Sequence, residues 1–205
     1  MDFWERFEHA VAGPRSEEVP ELLRLAEDLS DPALGTGPDD NYTLADVQAV
    51  RARVASALAE NGAVSLDFAI KATEAAWASG ELGWSSLQLA VAAMRCDDPQ
   101  PEVALRSLAR IPANFFEDQE LHWLAVQALA LEAEARAVLG QWDRVRELAG
   151  RLNRRYAAED RRQEFYERPS QLVRTLLADP AGRAIVPVLV DGLELTEWLD
   201  ELVQQ

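Results

Sequence analysis

Residues 133–152 read AEARAVLGQWDRVRELAGRL, and this stretch decides the architecture. Leu139-Gly140-Gln141 separates two segments with strong helical periodicity. Upstream, the run from about Asp118 to Leu139 is apolar around most of its circumference, and its charges arrive mainly at Glu132, Glu134 and Arg136. A helix of that kind has to be buried on more than one side, so it is expected between other helices, as the central and least accessible one. Downstream, Trp142 to about Ala158 places Val145, Leu148, Ala149, Leu152 and Tyr156 on one face. Gly140 supplies the left-handed backbone that a tight turn between two strong helices favours. Helices joined so closely fold back on each other as an antiparallel hairpin.

The second helix of this hairpin has an echo earlier in the chain. Glu102 to Ile111 (EVALRSLARI) and Asp143 to Leu152 (DRVRELAGRL) align at an offset of 40, pairing Leu105, Leu108 and Ala109 with Val145, Leu148 and Ala149. That offset lies in the range of helical-hairpin solenoids, in which neighbours stack because one hairpin cannot bury both of its faces. The hairpin resembles a tetratricopeptide repeat over about 35 residues, with a looser echo around residues 85–111. The resemblance implies that Ala133 is the small residue where the two helices meet, Gly140 the turn residue and Trp142 the aromatic that opens the second helix. The sequence departs from the family pattern where Val145 replaces a preferred alanine and Ala149 a preferred large aromatic, and no proline ends the unit.

Outward from this hairpin the chain keeps its helical period. Phe3, Trp4, Phe7, Ala10 and Val11 form one face of a short helix that Gly13 can end. Ser16 is the expected N-cap of the next helix, with Leu22, Leu23, Ala26 and Leu29 as its buried stripe. Asp31 to Asn41 collects Pro32, Gly35, Gly37 and Pro38 and reads as a flexible loop. Thr43 and Asp46 form a capping box for a helix that runs to about Asn61 and stops at Gly62. Ser65 caps a fourth helix ending near Gly80, and Trp84 to Arg95 forms a fifth. Asp97-Asp98-Pro99-Gln100-Pro101 breaks the chain before the helix that Pro112 closes. Further on, Pro169 to Leu177 reads as helix, Asp179-Pro180 as a helix start, and Thr196 to Val203 as a last amphipathic helix. Residues 184–190 are β-branched enough for a short strand, but Pro187 favours helix. The fold class is therefore all-α: antiparallel helical hairpins stacked as a short tetratricopeptide-like solenoid or a compact helical bundle. All of residues 1–205 are read as a single domain.

Composition narrows the function. Against 36 acidic residues stand 20 basic ones, of which 19 are arginine, giving a net charge of −16. DNA binding needs a basic surface that displaces counterions, so it is disfavoured, as is docking on anionic lipid. The longest stretch free of formal charge, Leu82 to Met94, is 13 residues, below the roughly 18 that suggest a membrane span. Asp2, Glu5, Arg6 and Glu8 stand where a signal peptide would be apolar, so the expected location is cytoplasmic. Cys96 is the lone cysteine and is expected to be a buried structural thiol.

The constellations that could carry chemistry weaken on inspection. His9 and His122 are the only histidines, with no cysteine beside either and no Glu-x-x-His motif, so no metal and no cofactor is expected. Gly83-Trp84-Ser85-Ser86-Leu87 lacks the second glycine of a nucleophile elbow. Gly35-Thr36-Gly37 follows no strand, and Asp39-Asp40-Asn41 lacks the glycine and distal glutamate of a calcium loop. Asp97-Asp98 with Glu102 resembles an aspartate-rich metal motif, but Pro99 and Pro101 break the helix that such a motif requires.

One surface feature remains. Residues 144–174 hold nine arginines against five acids, a local +4 in a chain that is −20 elsewhere. If the helix begun at Trp142 reaches Arg162, then Arg144, Arg151, Arg155 and Arg162 lie within about 20° of a common line on its surface. They lie over the core edge and pair with the protein's own acids, or they dock an acidic segment of a partner, or they contact RNA, for which the stripe has few interleaved aromatics to stack bases. The expected function is a non-catalytic module that binds a protein or peptide. A helical-bundle enzyme or ligand-binding protein is the first alternative, with an apolar pocket lined by Trp77, Trp84, Trp123 and Trp142. An acidic inhibitor or nucleic-acid mimic of a basic partner is the second, since strong charge speeds association with a cationic surface.

Overall fold

The computed structural model describes residues 2–37, 42–116, 122–158 and 170–190. Every regular element among them is helical, and no helix there is long and apolar enough to cross a membrane. The chain divides into two compact units, Met1–Pro112 and Ala113–Gln205, each with a core of its own.

The first unit contains α1 (Phe3–Ala12), α2 (Arg15–Asp28), α3 (Leu44–Glu60), α4 (Leu66–Ala78), α5 (Trp84–Arg95) and α6 (Pro101–Leu108). Helices pair in succession, α1 with α2, α3 with α4 and α5 with α6, while α3 also packs on α1, α2 and α5. The capping box at its start is present: the Asp46 N–H donates to Thr43 Oγ1 at 3.2 Å and the Thr43 N–H to Asp46 Oδ2 at 2.9 Å. All six residues from Val54 to Ala59 are buried. Small side chains make this possible, because alanine at 52, 55, 57 and 59 lets neighbouring helices approach α3 from several sides. Its C-terminal end is closed at Gly62 as expected, with φ of 70°.

Several local expectations shift. α2 starts two residues early, at Arg15 after Pro14, so Ser16 lies inside the first turn and Pro14 takes the N-cap position with no side-chain cap. Its buried stripe is Leu22, Leu25 and Leu29, and Leu23 is 48% exposed. Cys96 is half-buried at the end of α5, not buried. α6 buries Pro101, Ala104 and Ser107, one position out of step with Leu105 and Leu108, which stay half-exposed. One residue is about 100° of helix rotation, so the sequence offset of 40 does not carry over into equivalent burial.

The second unit opens with a single 3-10 turn, Ala113–Phe116, and continues with α7 (His122–Val138), α8 (Trp142–Ala158), α9 (Ser170–Ala178), α10 (Pro180–Arg183) and α11 (Val186–Val190). α7 packs on α8 and α9, and α11 packs on α8. Their core joins Ala133 and Ala137 of α7 to Val145, Leu148, Ala149 and Leu152 of α8, Leu172 and Leu176 of α9, and Ile185 and Leu189. Gly140 has φ of 67°, and the turn is closed by Gly140 N–H to Ala137 O at 2.9 Å and Gln141 N–H to Arg136 O at 2.9 Å. This is the Schellman arrangement, which satisfies two carbonyls that the end of α7 would otherwise leave open.

α7 does not behave as the sequence suggested. Leu124, Val126 and Leu131 are buried, but Leu129 and Leu139 are half-buried and Val138 is 51% exposed. Among the described residues the longest unbroken buried stretch is Val54–Ala59 of α3, where small alanines take the place of large apolar side chains. Residues 118–121 lie outside the described residues, as does the expected helix Thr196 to Val203. In the β-branched stretch 184–190 the first two residues form a turn and Val186–Val190 are helical; Pro187 sits at the second position of α11, where its missing N–H costs no helix hydrogen bond. Asp179 caps α10 by accepting from the Ala181 N–H at 2.7 Å.

Candidate functional site

α8 is the most basic helix described, with Arg144, Arg146, Arg151, Arg154 and Arg155 against Asp143 and Glu147. Its opposite face is fully apolar: Val145, Leu148, Ala149 and Leu152 are all at 0% exposure, and this fixes the helix's rotation. The expected stripe therefore runs along the flank of the buried face. Arg144 and Arg151 are half-buried and Arg155 is exposed. α8 ends at Ala158, so Arg162 lies outside the described residues.

The stripe is not uniform. Arg144 lies 3.5 Å from Glu132 of α7 and also pairs with Glu147 on its own helix. Glu132 is shared with Arg136, 3.1 Å away, which in turn donates to Gln141 Oε1 at 2.6 Å. This network straps the two helices together beside the Gly140 turn. The hydrogen bond from Arg144 holds the Glu147 carboxyl below its ordinary range, and the same bond, with Glu132 nearby, raises the Arg144 guanidinium. Arg144 is thus engaged within the hairpin, while the exposed Arg146, Arg154 and Arg155 carry the positive surface outward.

The remaining sequence candidates separate in space. Thr36 Oγ1 donates to Ala33 O at 2.7 Å, so Gly35-Thr36-Gly37 is a closed turn. Residues 39–41 lie outside the described residues. Asp97 and Asp98 are exposed ahead of α6, and no group of three metal-ligating side chains occurs among the described residues. Of the four tryptophans suggested as a pocket lining, Trp77 donates to Ser86 Oγ at 2.8 Å and Trp142 packs on the core of the second unit. Trp84 stacks on Arg53, and the side chain of Trp123 lies outside the described residues.

Sequence reasoning missed two features of the first unit. The first is Arg53 on α3, whose guanidinium carbon lies 5.0 Å from the ring centre of Trp4, 4.4 Å from that of Phe7 and 4.8 Å from that of Trp84. Burial pushes its pKa down to about 10, while Glu8 and Glu81 pull it back up, and its Nε is buried without a hydrogen bond. Cation–π attraction from three rings stabilises the guanidinium and ties α1 and α5 to α3. An arginine inside the apolar run Val50 to Leu58 was the signal that could have found it. The second is a groove of about 330 Å³ between α2, α3 and α4. No motif marks it, because its lining comes from three helices.

Together these features define an all-α protein of antiparallel helical hairpins with one strongly basic helix. No family model, no curated protein and no solved structure matches the chain.

Proposed function

We propose that this chain is a non-catalytic protein–protein interaction module of tetratricopeptide-like helical hairpins, and that α8 docks an acidic segment of a partner. The observation that carries the reading is the charge of α8: five arginines against two acids on one helix of a chain with net charge −16. Its apolar face is consumed by the core, while Arg146, Arg154 and Arg155 are exposed and Arg151 is half-buried on its flank. Guanidinium–carboxylate contacts that lose water in an interface contribute more than the same contacts on an open surface. The hairpin character is supported by Ala133, fully buried against α8, and by the left-handed Gly140.

The test separates docking from internal pairing. Arg151, Arg155 and Arg162 are replaced together by glutamine, and Arg144 is replaced in a separate variant. The triple variant is expected to lose salt-sensitive partner capture while melting at the parent's temperature, since exposed ion pairs contribute about 0–1 kcal/mol each. Arg144→Gln is expected to lower stability slightly through the lost contact with Glu132. Partner capture that persists in the folded triple variant overturns the docking site.

A further inference from the structure

The groove between α2, α3 and α4 has a polar end and an apolar end. Along α3 it is lined by Gln48, Arg51, Ala55 and Leu58, at steps of three, four and three residues that keep them on one side. α2 runs antiparallel to α3: Arg51 reaches the carbonyls after the end of α2, and Asn61 Nδ2 donates to Glu18 Oε1 near its start at 3.0 Å. α4 returns antiparallel after the short turn at Gly62. Ser30 and Pro32 therefore border the Gln48–Arg51 end, and Phe68 and Ala72 border the Ala55–Leu58 end.

At the polar end, Arg51 Nε donates to Leu29 O at 2.7 Å and Nη2 to Asp31 O at 2.9 Å. These bonds fix the guanidinium plane and leave Nη1 without a partner among the described residues. Among the described residues Arg51 is the only charged side chain lining the groove. At the other end Phe68 is 54% exposed, a large aromatic in water beside an apolar wall. Seven residues separate Arg51 from Leu58, about 10 Å of helix rise. The volume falls at the small end of ligand pockets, which combine an apolar lining with a few polar groups that set orientation.

We infer that this groove binds a small amphipathic monocarboxylate, with its carboxylate on Arg51 Nη1 and its apolar body along Ala55, Leu58 and Ala72 under Phe68. Charge complementarity selects the head group, because the guanidinium is held in place and one nitrogen remains for an anion. The groove lies wholly within the first unit, so this site stands independently of the α8 reading.

The probes are octanoate, octanol and octylammonium, titrated into the full chain at millimolar concentration and followed by backbone amide NMR shifts. Octanoate is expected to perturb Ala26, Leu29, Arg51, Ala55 and Ala72, with the other two binding at least about tenfold more weakly, the lower end of a charge-assisted contact. Ala72→Leu, which places a larger side chain in the groove, is expected to remove binding while circular dichroism shows the fold intact. Because Arg51 also holds the end of α2, the head-group series on the parent protein carries the test. Octanol or octylammonium binding as tightly as octanoate overturns the carboxylate assignment. Absence of shifts with octanoate, or unchanged binding by folded Ala72→Leu, overturns the site.

Discussion

Gly182→Ala sets two calculable effects against each other. Gly182 lies in the short helix α10, and helical propensity alone favours alanine there by about 0.5–1 kcal/mol. The structure opposes the change. A Cβ at 182 would stand 2.3 Å from Leu176 O, 2.8 Å from Leu176 Cα and 2.9 Å from its carbonyl carbon. Ordinary contact lies near about 3.5 Å, so the gap has to open by roughly 1 Å. The obstacle is backbone and cannot rotate aside as a side chain would. α10 would be pushed from the end of α9, disturbing the packing of Leu172, Val173 and Leu176 with Ile185 and Leu189, all at 2% exposure or less. Overpacking of this kind costs about 1–3 kcal/mol, which leaves a net loss of about 0–2.5 kcal/mol after the propensity gain. Gly150→Ala is the control: it lies in α8, and its Cβ would meet only Arg154 Nη1 at 3.6 Å, so it should stabilise by about 0.5–1 kcal/mol. Urea denaturation followed by circular dichroism, with amide exchange read at residues 172–189, measures both. A Gly182→Ala variant stabilised as much as Gly150→Ala would refute the close approach of α10 to Leu176.

Gly140→Ala should cost about 1 kcal/mol in a thermal melt, because φ of 67° strains any residue with a Cβ and nothing nearby rewards the added methyl. Leu131→Ala should cost about 2–5 kcal/mol and Leu139→Ala clearly less, since Leu131 is 4% exposed and Leu139 half-buried; equal losses in matched denaturation curves would contradict the placement of α7. Glu147 should titrate below the ordinary glutamate value of 4.5. Its folded-state pKa is depressed, so its stabilisation is present above that ordinary value and lost as pH falls through the depressed one. Carboxyl NMR titration checks this, and in Arg144→Gln the pKa of Glu147 should rise toward the ordinary value.

The sequence by itself determined the helices and most of their ends. Thr43 with Asp46, Ser65, Asp179 and the glycines at 62, 80 and 140 act through groups within a few residues, so local spacing suffices to read them. The apolar face of α8 was legible for the same reason: a period of 3.6 residues is a property of one segment. What lies between helices was not legible. Which described helix carries the longest buried stretch depended on alanines, whose small size matters only when a neighbour is present to exploit it, as along Val54 to Ala59. The partners of each arginine followed the same rule. Arg144 and Arg155 share one line in the sequence, yet only the fold sets Glu132 within 3.5 Å of Arg144, and only the fold stacks Trp4, Phe7 and Trp84 on Arg53. The groove at Arg51 is also a tertiary product, assembled from residues between Ala26 and Ala72. Local chemistry fixes where a helix starts, stops and turns its apolar side. Contacts between residues far apart in the chain decide which charges are paired, which are buried, and where a ligand could fit.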